Sequence, residues 1–417
     1  MMLYSLRSLA VLADMKANQW KSPDELEGIA SGRLSSLLRH AAAEVPRYKG
    51  IACEAVTVET LSSLPITRKR DMQSSPDSFI SVRSDRSRLR AIPTSGSTGM
   101  PLTTYCSFYD IMYSNALRYH LYTEAGLGPL DLQVQLSYAG RPPDLLQRLG
   151  LFRCRFLSFS AQDQENLLAL KRLTPSAVLS YPSVLHPLAL SNERGGYGVR
   201  FSKAFTTGEM LSRAARDLIS GSFGCSIRNR YGTVEAGTIA WECERGSMHI
   251  NSDSVIVEVV DERGRPLPNG KIGNLLVTPL WRYPMPFIRY WIGDRGSVGG
   301  RCACGRGLPV LSSLKGRDNG AVILPSGRLF IATYIGAKIR SVSGVIQFQV
   351  VQESRSRLVV RYVRSGVDRG LGARIRGSVL AALPEPMEIE TEEVQSIRPP
   401  QGGKACDFLS KVRPETQ

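Results

Sequence analysis

The sequence contains few cysteines, few histidines and no long apolar run. Its 417 residues include 8 Cys and 4 His, which is too little cysteine for a disulfide scaffold of this length. No stretch reaches the 18 or so uncharged apolar residues that a membrane span needs. The apolar N-terminal stretch is interrupted by Arg7 and Asp14, which favours an amphipathic helix over a signal peptide. The sequence therefore predicts a cytoplasmic protein with no membrane partner.

Acidic residues are outnumbered by basic ones. The chain carries 53 Lys and Arg against 37 Asp and Glu, a formal net charge of +16. Such a field attracts nucleic acid, nucleotides, anionic lipid or an acidic carrier protein. The basic residues form only pairs and triplets, such as Arg228 with Arg230, and no tract of five, which is typical of scattered solvated charge. We expect no nucleic-acid partner and keep a non-catalytic polyanion-binding protein as a remote alternative.

Hydrophobic patterning predicts an α/β fold. The pattern of the first ninety residues is polar and predicts helices. Between about 130 and 230, short apolar runs alternate with helical patterns, which indicates βαβ units and mostly parallel sheets. Residues 247–300 predict strands with glycine turns, in an antiparallel or barrel-like part. After Gly316 a hairpin, a helix and a further strand predict a compact α+β module. We therefore expect a large N-terminal domain over 1–317 and a small mobile C-terminal domain over 318–417.

A loop of small and hydroxyl residues follows Pro93. Glycine lets backbone N–H groups approach an anion closely, and Ser and Thr hydroxyls add donors, so such a loop suits a triphosphate. It is not a Walker A loop, because the Gly-Lys-Ser/Thr ending is missing. Taken alone, a flexible surface loop explains the segment equally well. Its residues are Thr94, Ser95, Gly96, Ser97, Thr98 and Gly99.

Further short motifs follow this loop in order. They are TGE at 207–209, YGTVE at 231–235, GD at 293–294, GRD at 316–318 and GK at 403–404. Together with VPRYKG, LPITRKRDM, YPSVLHPLA and QFQVVQ, these segments resemble the adenylate-forming superfamily (acyl-CoA synthetases, luciferases and adenylation domains). More narrowly, they resemble its branch of phenylacetate–CoA ligases and capsule-biosynthesis proteins. The similarity extends over nearly the whole chain.

The resemblance implies an ATP site. In such enzymes the Ser/Thr/Gly loop holds the phosphates, Tyr231 lies against the adenine, and Asp294 accepts hydrogen bonds from the ribose. Glu235 would hold Mg²⁺, a hard cation that neutralises the departing pyrophosphate. The other nucleotide-binding residues that the resemblance implies are Gly208, Glu209, Gly232, Thr233 and Arg317.

The resemblance also implies a catalytic lysine and a hinge. Lys404 would lie between a carboxylate and the α-phosphate, where a cation offsets the repulsion of two oxyanions. Here Cys406-Asp407 replaces the usual aliphatic and basic tail, so an ordinary surface lysine is the alternative. Asp318 matches the hinge of the last domain, although Asn319 follows it where a second acidic residue is more usual.

Four residues form a candidate metal set. Cys243 and His249 are close in sequence, and Cys302 and Cys304 flank one alanine. Three thiolates and one imidazole satisfy tetrahedral Zn²⁺ in a closed, structural site. The same arrangement occurs in the branch that the chain resembles. The alternative is a set of reduced cysteines that pack as small apolar groups.

The resemblance places the acyl pocket at two further segments. They supply Tyr138, Ala139, Gly140, Tyr181 and Ser183, whose mixture of small and aromatic types does not identify the acid. His186 is a pocket candidate, with a core histidine as the favoured alternative. Arg141 is a second candidate, as the partner of a substrate carboxylate.

The resemblance implies an ATP- and Mg²⁺-dependent ligase. It activates a carboxylic acid, with an aryl acid as the first expectation, as acyl-AMP and transfers the acyl group to a thiol such as CoA. The alternative is an adenylating enzyme of secondary metabolism with another acceptor: an amine, a carrier protein, or an amine that reacts with an activated small oxyanion such as nitrite. Homodimers occur among such enzymes, so a dimer is one possible state.

Overall fold

The computed structural model describes most of the chain. The described residues are 2–51, 56–93, 102–137, 140, 142–159, 161–209, 211, 213–316, 321–364, 368, 370–395, 397 and 408–412. The chain divides into two compact units, the first formed by Met1–Ile92 and Thr103–Gly316 and the second by Pro93–Leu102 and Arg317–Gln417. The predicted domain boundary between residues 317 and 318 lies outside the described residues and stays a prediction.

Helices account for the polar N-terminal region and for the connections between the central strands. The α-helices of the described residues are α1 (Met2–Asn18), α2 (Pro23–Glu44), α3 (Lys69–Ser74), α4 (Phe108–Glu124), α5 (Leu145–Arg148), α6 (Asp163–Leu173), α7 (Pro182–Arg194), α8 (Arg213–Phe223), α9 (Ala332–Arg340) and α10 (Leu371–Leu380). None of them combines the length and the apolar character that crossing a membrane requires.

The strands of the described residues are β1 (Arg90–Pro93), β2 (Thr103–Cys106), β3 (Gln133–Ser137), β4 (Cys154–Ser158), β5 (Ala177–Ser180), β6 (Lys203–Thr207), β7 (Ser226–Thr233), β8 (Gly237–Glu242), β9 (Met248–Ile250), β10 (Val255–Val260), β11 (Gly273–Pro279), β12 (Tyr290–Val298), β13 (Leu311–Gly316), β14 (Ala321–Ile323), β15 (Leu329–Ile331), β16 (Val345–Ser354), β17 (Arg357–Arg364), β18 (Glu388–Glu393) and β19 (Phe408–Ser410).

A seven-stranded sheet forms the centre of the first unit. Its order is β4-β3-β5-β6-β7-β8-β9, and the pairs from β4 to β7 are parallel. All four residues of β5 are buried, as expected for a parallel strand that is covered on both faces. The mostly parallel arrangement predicted from the alternating pattern is confirmed. The strand that follows β3 in the chain, β4, lies on one side of β3, and the later strands β5, β6 and β7 lie on the other side. The strand order therefore reverses between the neighbours β3 and β5.

A four-stranded antiparallel sheet completes the first unit. Its order is β10-β11-β12-β13, which confirms the β-rich part expected after residue 247. Arg289 ties this sheet to the N-terminal region. Its guanidinium pairs with Glu258 and donates to the carbonyl oxygens of Ser62 and Leu64, so the sheet and that region are fixed together.

The second unit is a small α+β structure with its own core. Its sheet has the order β18-β17-β16-β19, and β16 and β17 form the predicted hairpin, with Ser354 paired to Arg357 at its end. Helices α9 and α10 contribute to the same core, in which Ile335, Leu358 and Ile375 are fully buried. The predicted fold class, a large α/β part with a β-rich sheet and a small α+β part, is confirmed.

Candidate active site

The carboxyl ends of the central parallel strands meet at one edge of the sheet. In open α/β sheets, ligands bind outside these ends, where the strand order reverses. A pocket of about 80 Å³ lies at this edge. The residues that contribute to it from the strands and the segments that follow them include Gln135, Ser137, Ser180, Tyr181, Thr207 and Arg230. The topology therefore places a concave site at this edge of the sheet.

The β7–β8 hairpin supplies the YGTVE motif. Gly232 lies beside the paired strand so closely that a Cβ atom there would stand 2.3 Å from the Gly237 carbonyl oxygen. Only glycine fits this position without a shift of the backbone. The Thr233 hydroxyl accepts a hydrogen bond from the Ala236 amide at 3.1 Å, which shapes the turn. The motif is thus held in a tight hairpin that presents Tyr231 and Glu235.

Two hydroxyl–carboxylate hydrogen bonds join this hairpin to β12. The Tyr231 hydroxyl donates to the Asp294 carboxylate at 2.9 Å. The second bond has its donor on β12 and its acceptor on the hairpin: the Tyr290 hydroxyl donates to Glu235 Oε1 at 3.2 Å. Glu235 and Asp294 are both largely buried. The structure therefore brings together three residues that the sequence motifs single out, Tyr231, Glu235 and Asp294.

The TGE motif follows β6 at the same sheet edge. Gly208 has φ +77°, a left-handed conformation that favours glycine. A Cβ atom there would also stand 2.8 Å from the Tyr181 ring. Glu209 continues the same bend. Gly208 therefore lets the chain turn closely past Tyr181, a residue expected in the acyl pocket.

Several predicted site residues lie outside the described residues. They are Thr94, Ser95, Gly96, Ser97, Thr98, Gly99, Tyr138, Ala139, Arg141, Arg317, Asp318 and Lys404. Of the remaining pocket candidates, Gly140 packs near the Phe156 ring, Ser183 lies in the first turn of α7, and His186 is half-buried in the same helix.

The four candidate metal ligands converge. Their ligand atoms all lie within 4.8 Å of one another, with Cys243 Sγ 3.6 Å from Cys302 Sγ and Cys304 Sγ 3.2 Å from His249 Nε2. A tetrahedral Zn²⁺ with Zn–S bonds of about 2.3 Å places its sulfur ligands about 3.8 Å apart. The donor set and its spacing therefore fit zinc.

The surroundings orient these ligands. His249 Nδ1 lies 3.2 Å from the Leu308 carbonyl oxygen, which leaves Nε2 directed at the cluster, as the carbonyl partner of a metal-bound histidine does. Burial raises the pKa of the Cys243 thiol to about 11. At Cys302 burial acts in the same direction, but hydrogen bonds with Ser247 and the Cys304 amide lower its pKa to about 6.

The cluster joins two parts of the first unit. Cys243 and His249 lie at the β8–β9 hairpin of the central sheet, whereas Cys302 and Cys304 lie between β12 and β13 of the antiparallel sheet. A metal ion bound here would act as a clip between the βαβ region and the β-rich part. Beside the cluster, the buried Arg306 pairs with Glu124 and Glu244. Sequence reasoning missed Arg306, and only its position in the CACGRG segment pointed to it.

Sequence reasoning also missed pocket residues. Arg118 on α4 and Gln135 on β3 line the pocket, and no motif contains them. Arg230 was interpreted only as scattered charge, yet it also lines the pocket, next to Tyr231 in sequence. Its position directly before the YGTVE motif was the one feature of the sequence that could have indicated that Arg230 lies at the site.

Structural comparison shows that the chain has the fold of adenylate-forming ligases. The structure of 2-hydroxyisobutyryl-CoA ligase with 2-HIB-AMP and CoA, in the thioesterification state, matches with a TM-score of 0.68 and 19% identity over 94% of this chain and 91% of that one. The same ligase in the postadenylation state matches with a TM-score of 0.64 and 20% identity, over 95% and 90% of the two chains. At 19–20% sequence identity, this structural similarity shows a shared fold and nothing further.

Sequence comparison points to particular relatives. The phenylacetate-coenzyme A ligase of Thermus thermophilus is 25% identical over 367 residues, covering 79% of this chain and 78% of that protein. Protein CapK of Staphylococcus aureus is 25% identical over 345 residues, covering 77% and 73%. No protein-family profile matches the chain. The resemblance predicted from the motifs, to phenylacetate–CoA ligases and capsule-biosynthesis proteins, is confirmed.

Proposed function

We propose that this protein is an AMP-forming ligase that activates a carboxylic acid as acyl-AMP and transfers the acyl group to a thiol such as CoA. The observation that carries the proposal is the assembly of Tyr231, Glu235 and Asp294 beside the pocket at the sheet edge. The similarity to phenylacetate-coenzyme A ligases over more than three quarters of the chain supports the same reaction class.

The proposed site divides its work among these residues. Tyr231 offers a flat face to the adenine, and Asp294, oriented by the Tyr231 hydroxyl, accepts hydrogen bonds from the ribose. The Thr94–Gly99 loop binds the phosphates through backbone N–H groups and hydroxyls. Glu235 would hold Mg²⁺, which supplies charge neutralisation at the pyrophosphate when it is bound. Gly208 and Glu209 border the adenine.

Two steps complete the proposed reaction. The substrate carboxylate attacks the α-phosphate and pyrophosphate leaves, with Lys404 offsetting the repulsion between the two oxyanions. The thiol then attacks the acyl carbonyl and AMP departs. Arg317 binds near the ribose and phosphate, and Asp318 is the proposed hinge between the steps.

A structural Zn²⁺ would be held away from these steps by the cluster of Cys243, His249, Cys302 and Cys304. A cytoplasmic location and a homodimer stay predictions.

ATP–pyrophosphate exchange with a panel of acids tests the proposal. We expect exchange that depends on one class of acid and falls by about 100-fold or more in Lys404→Ala, since the loss of one preorganised charge at a transition state has effects of this size. Lys411→Ala is the matched control, because Lys411 lies nearby in sequence and is an exposed lysine whose ammonium group pairs with Glu353.

A second arm of the experiment examines the nucleotide site and the acceptor. Tyr231→Phe keeps the ring and removes the hydrogen bond to Asp294, so it should raise the KM for ATP severalfold. Product analysis with CoA, amines and carrier protein then identifies the acceptor. The absence of both ATP binding and exchange with every acid would overturn the proposal. Exchange that Lys404→Ala leaves unaffected would overturn it as well.

A further inference from the structure

The pocket at the sheet edge has an unusual charge. Among the described residues that line it, two are arginines, Arg118 and Arg230, and none is acidic. The remaining side chains are mostly polar and include the amide of Gln135 and the hydroxyl of Ser180. A pocket built only for an apolar ring would be lined mainly by apolar and aromatic side chains. The lining instead offers two guanidinium groups and an amide donor.

Arg118 is the residue that the fold leaves available. Its Nη2 donates to Asn115 Oδ1 at 2.6 Å, within α4, and no carboxylate of a described residue lies at ion-pair distance from it. The carboxylate of Asp144, whose charge acts on Arg118, already accepts from Asn115 Nδ2 and the Tyr119 hydroxyl and from the Gln147 amide at the start of α5. Asp144 is therefore occupied as a helix cap.

The Tyr119 ring, 5.6 Å from Arg118 Cζ, and the charge of Asp144 offset part of the cost of burying this guanidinium. Neither provides an anion in direct contact, so part of the lost hydration is not replaced. A ligand anion would restore the missing partner. Arginine also presents its donors in a planar fork that matches a carboxylate in a bidentate manner. The Gln135 amide, on the neighbouring wall of the same pocket, can add a further donor.

We propose that the acid activated by this protein is a dicarboxylic acid, whose second carboxylate is bound in the pocket by Arg118. This inference rests on the proposed ligase function and specifies its substrate class. The reacting carboxylate faces the nucleotide residues that follow β6 and β7. The second carboxylate lies against α4 and β3, where Arg118 and Gln135, respectively, line the pocket.

Paired substrates test the inference. Each pair replaces one carboxylate by a methyl group of similar size: succinate against butyrate, and 4-carboxyphenylacetate against 4-methylphenylacetate. With the whole chain and ATP–pyrophosphate exchange as the readout, we expect kcat/KM to favour the diacid of at least one pair by tenfold or more. Charge-assisted hydrogen bonds that one substrate alone can form produce discrimination of at least this size.

Variants assign the preference to Arg118. Arg118→Gln should lower the diacid-to-monoacid ratio by about tenfold or more, and Arg118→Lys, which retains a cation, should lower it less. Arg155→Gln is the matched control, because Arg155 is an exposed arginine on β4 outside the pocket lining. Because the ratio is measured within one protein sample, partial loss of folded protein does not change it.

The outcomes separate this inference from the ligase proposal. Exchange that prefers the monoacid in both pairs, or a ratio that Arg118→Gln does not change, overturns the dicarboxylate assignment and leaves the ligase function in place. Absence of exchange with all four acids while ATP still binds overturns the dicarboxylate assignment alone, and absence of ATP binding together with exchange overturns both.

Discussion

Hydrogen bonds between tyrosine hydroxyls and carboxylates organise the candidate site at the residue scale. Asp294 and Glu235 are each held by a tyrosine from the other element of the pair. Such a partner fixes the orientation of an acidic side chain before a ligand arrives, so less ordering remains for binding. His120, a buried residue away from the site, makes the stability of the protein depend on pH.

His120 predicts a pH dependence of stability. Burial lowers the pKa of His120 from 6.5 to about 4, and neither ring nitrogen has a hydrogen-bond partner among the described residues. Between these two pKa values, His120 is therefore protonated in the unfolded chain and neutral in the folded chain. The stabilisation is complete above pH 6.5 and is lost as the pH falls from 6.5 towards 4, by about 2 to 3 kcal/mol at pH 4.5.

Urea unfolding followed by tryptophan fluorescence at pH 7, 6, 5 and 4.5 measures this effect. His120→Leu removes the titrating group, so the difference in unfolding free energy between wild type and variant should change with pH in this range. His40→Leu is the control for the loss of a half-buried histidine. Parallel pH profiles for wild type and His120→Leu would contradict the prediction.

The Cys/His cluster matters at the scale of elements. It lies where the β8–β9 hairpin of one sheet approaches the connection between β12 and β13 of the other. A bound ion would link two segments that are distant in sequence, and its binding free energy would then contribute to folding. The ion pairs of Arg306 with Glu124 and Glu244 reinforce the same region.

Metal analysis of the purified chain tests the clip. We expect about one Zn²⁺ per chain, its loss in Cys302→Ser, and a lower Tm both for this variant and after chelation, since a four-ligand structural site stabilises the fold directly. Cys154→Ser, at a half-buried cysteine outside the cluster, should retain metal and Tm. A stable wild-type protein free of metal would reject the clip.

The whole molecule contains two compact units with separate cores. All four tryptophans, at positions 20, 241, 281 and 291, belong to the first unit. Tryptophan fluorescence therefore reports on that unit alone, whereas far-ultraviolet circular dichroism reports on both. This difference allows the stability of each unit to be measured in the intact chain.

Leu358→Ala should destabilise the second unit by about 2 to 5 kcal/mol, because a fully buried leucine leaves a cavity in the core where Leu358 is 0% exposed. We expect the dichroism transition to acquire an early phase while the fluorescence transition stays unchanged. Leu276→Ala, at a fully buried position in the first unit, should shift the fluorescence transition together with the part of the dichroism signal that comes from that unit. A common shift of both signals in Leu358→Ala would show that the two units unfold together.

The sequence by itself determined the class of fold and the chemistry to look for. Period-two and helical patterns are local, so the alternating strands and helices from 130 to 230, and the β16–β17 hairpin, could be predicted from neighbouring residues. The motifs also identified Tyr231, Glu235, Asp294 and the four metal-ligand candidates, because each motif is a short local string.

Only the tertiary structure decided which of these groups meet. Tyr231 bonds Asp294 across 63 positions of chain, and Arg118 reaches the same pocket as Arg230 although one lies on a helix and the other on a strand. Such meetings depend on strand order and on the packing of α4 against the sheet, which no local pattern encodes. The positive charge of the pocket, and with it the dicarboxylic acid that we propose as its substrate, therefore depend on the folded chain.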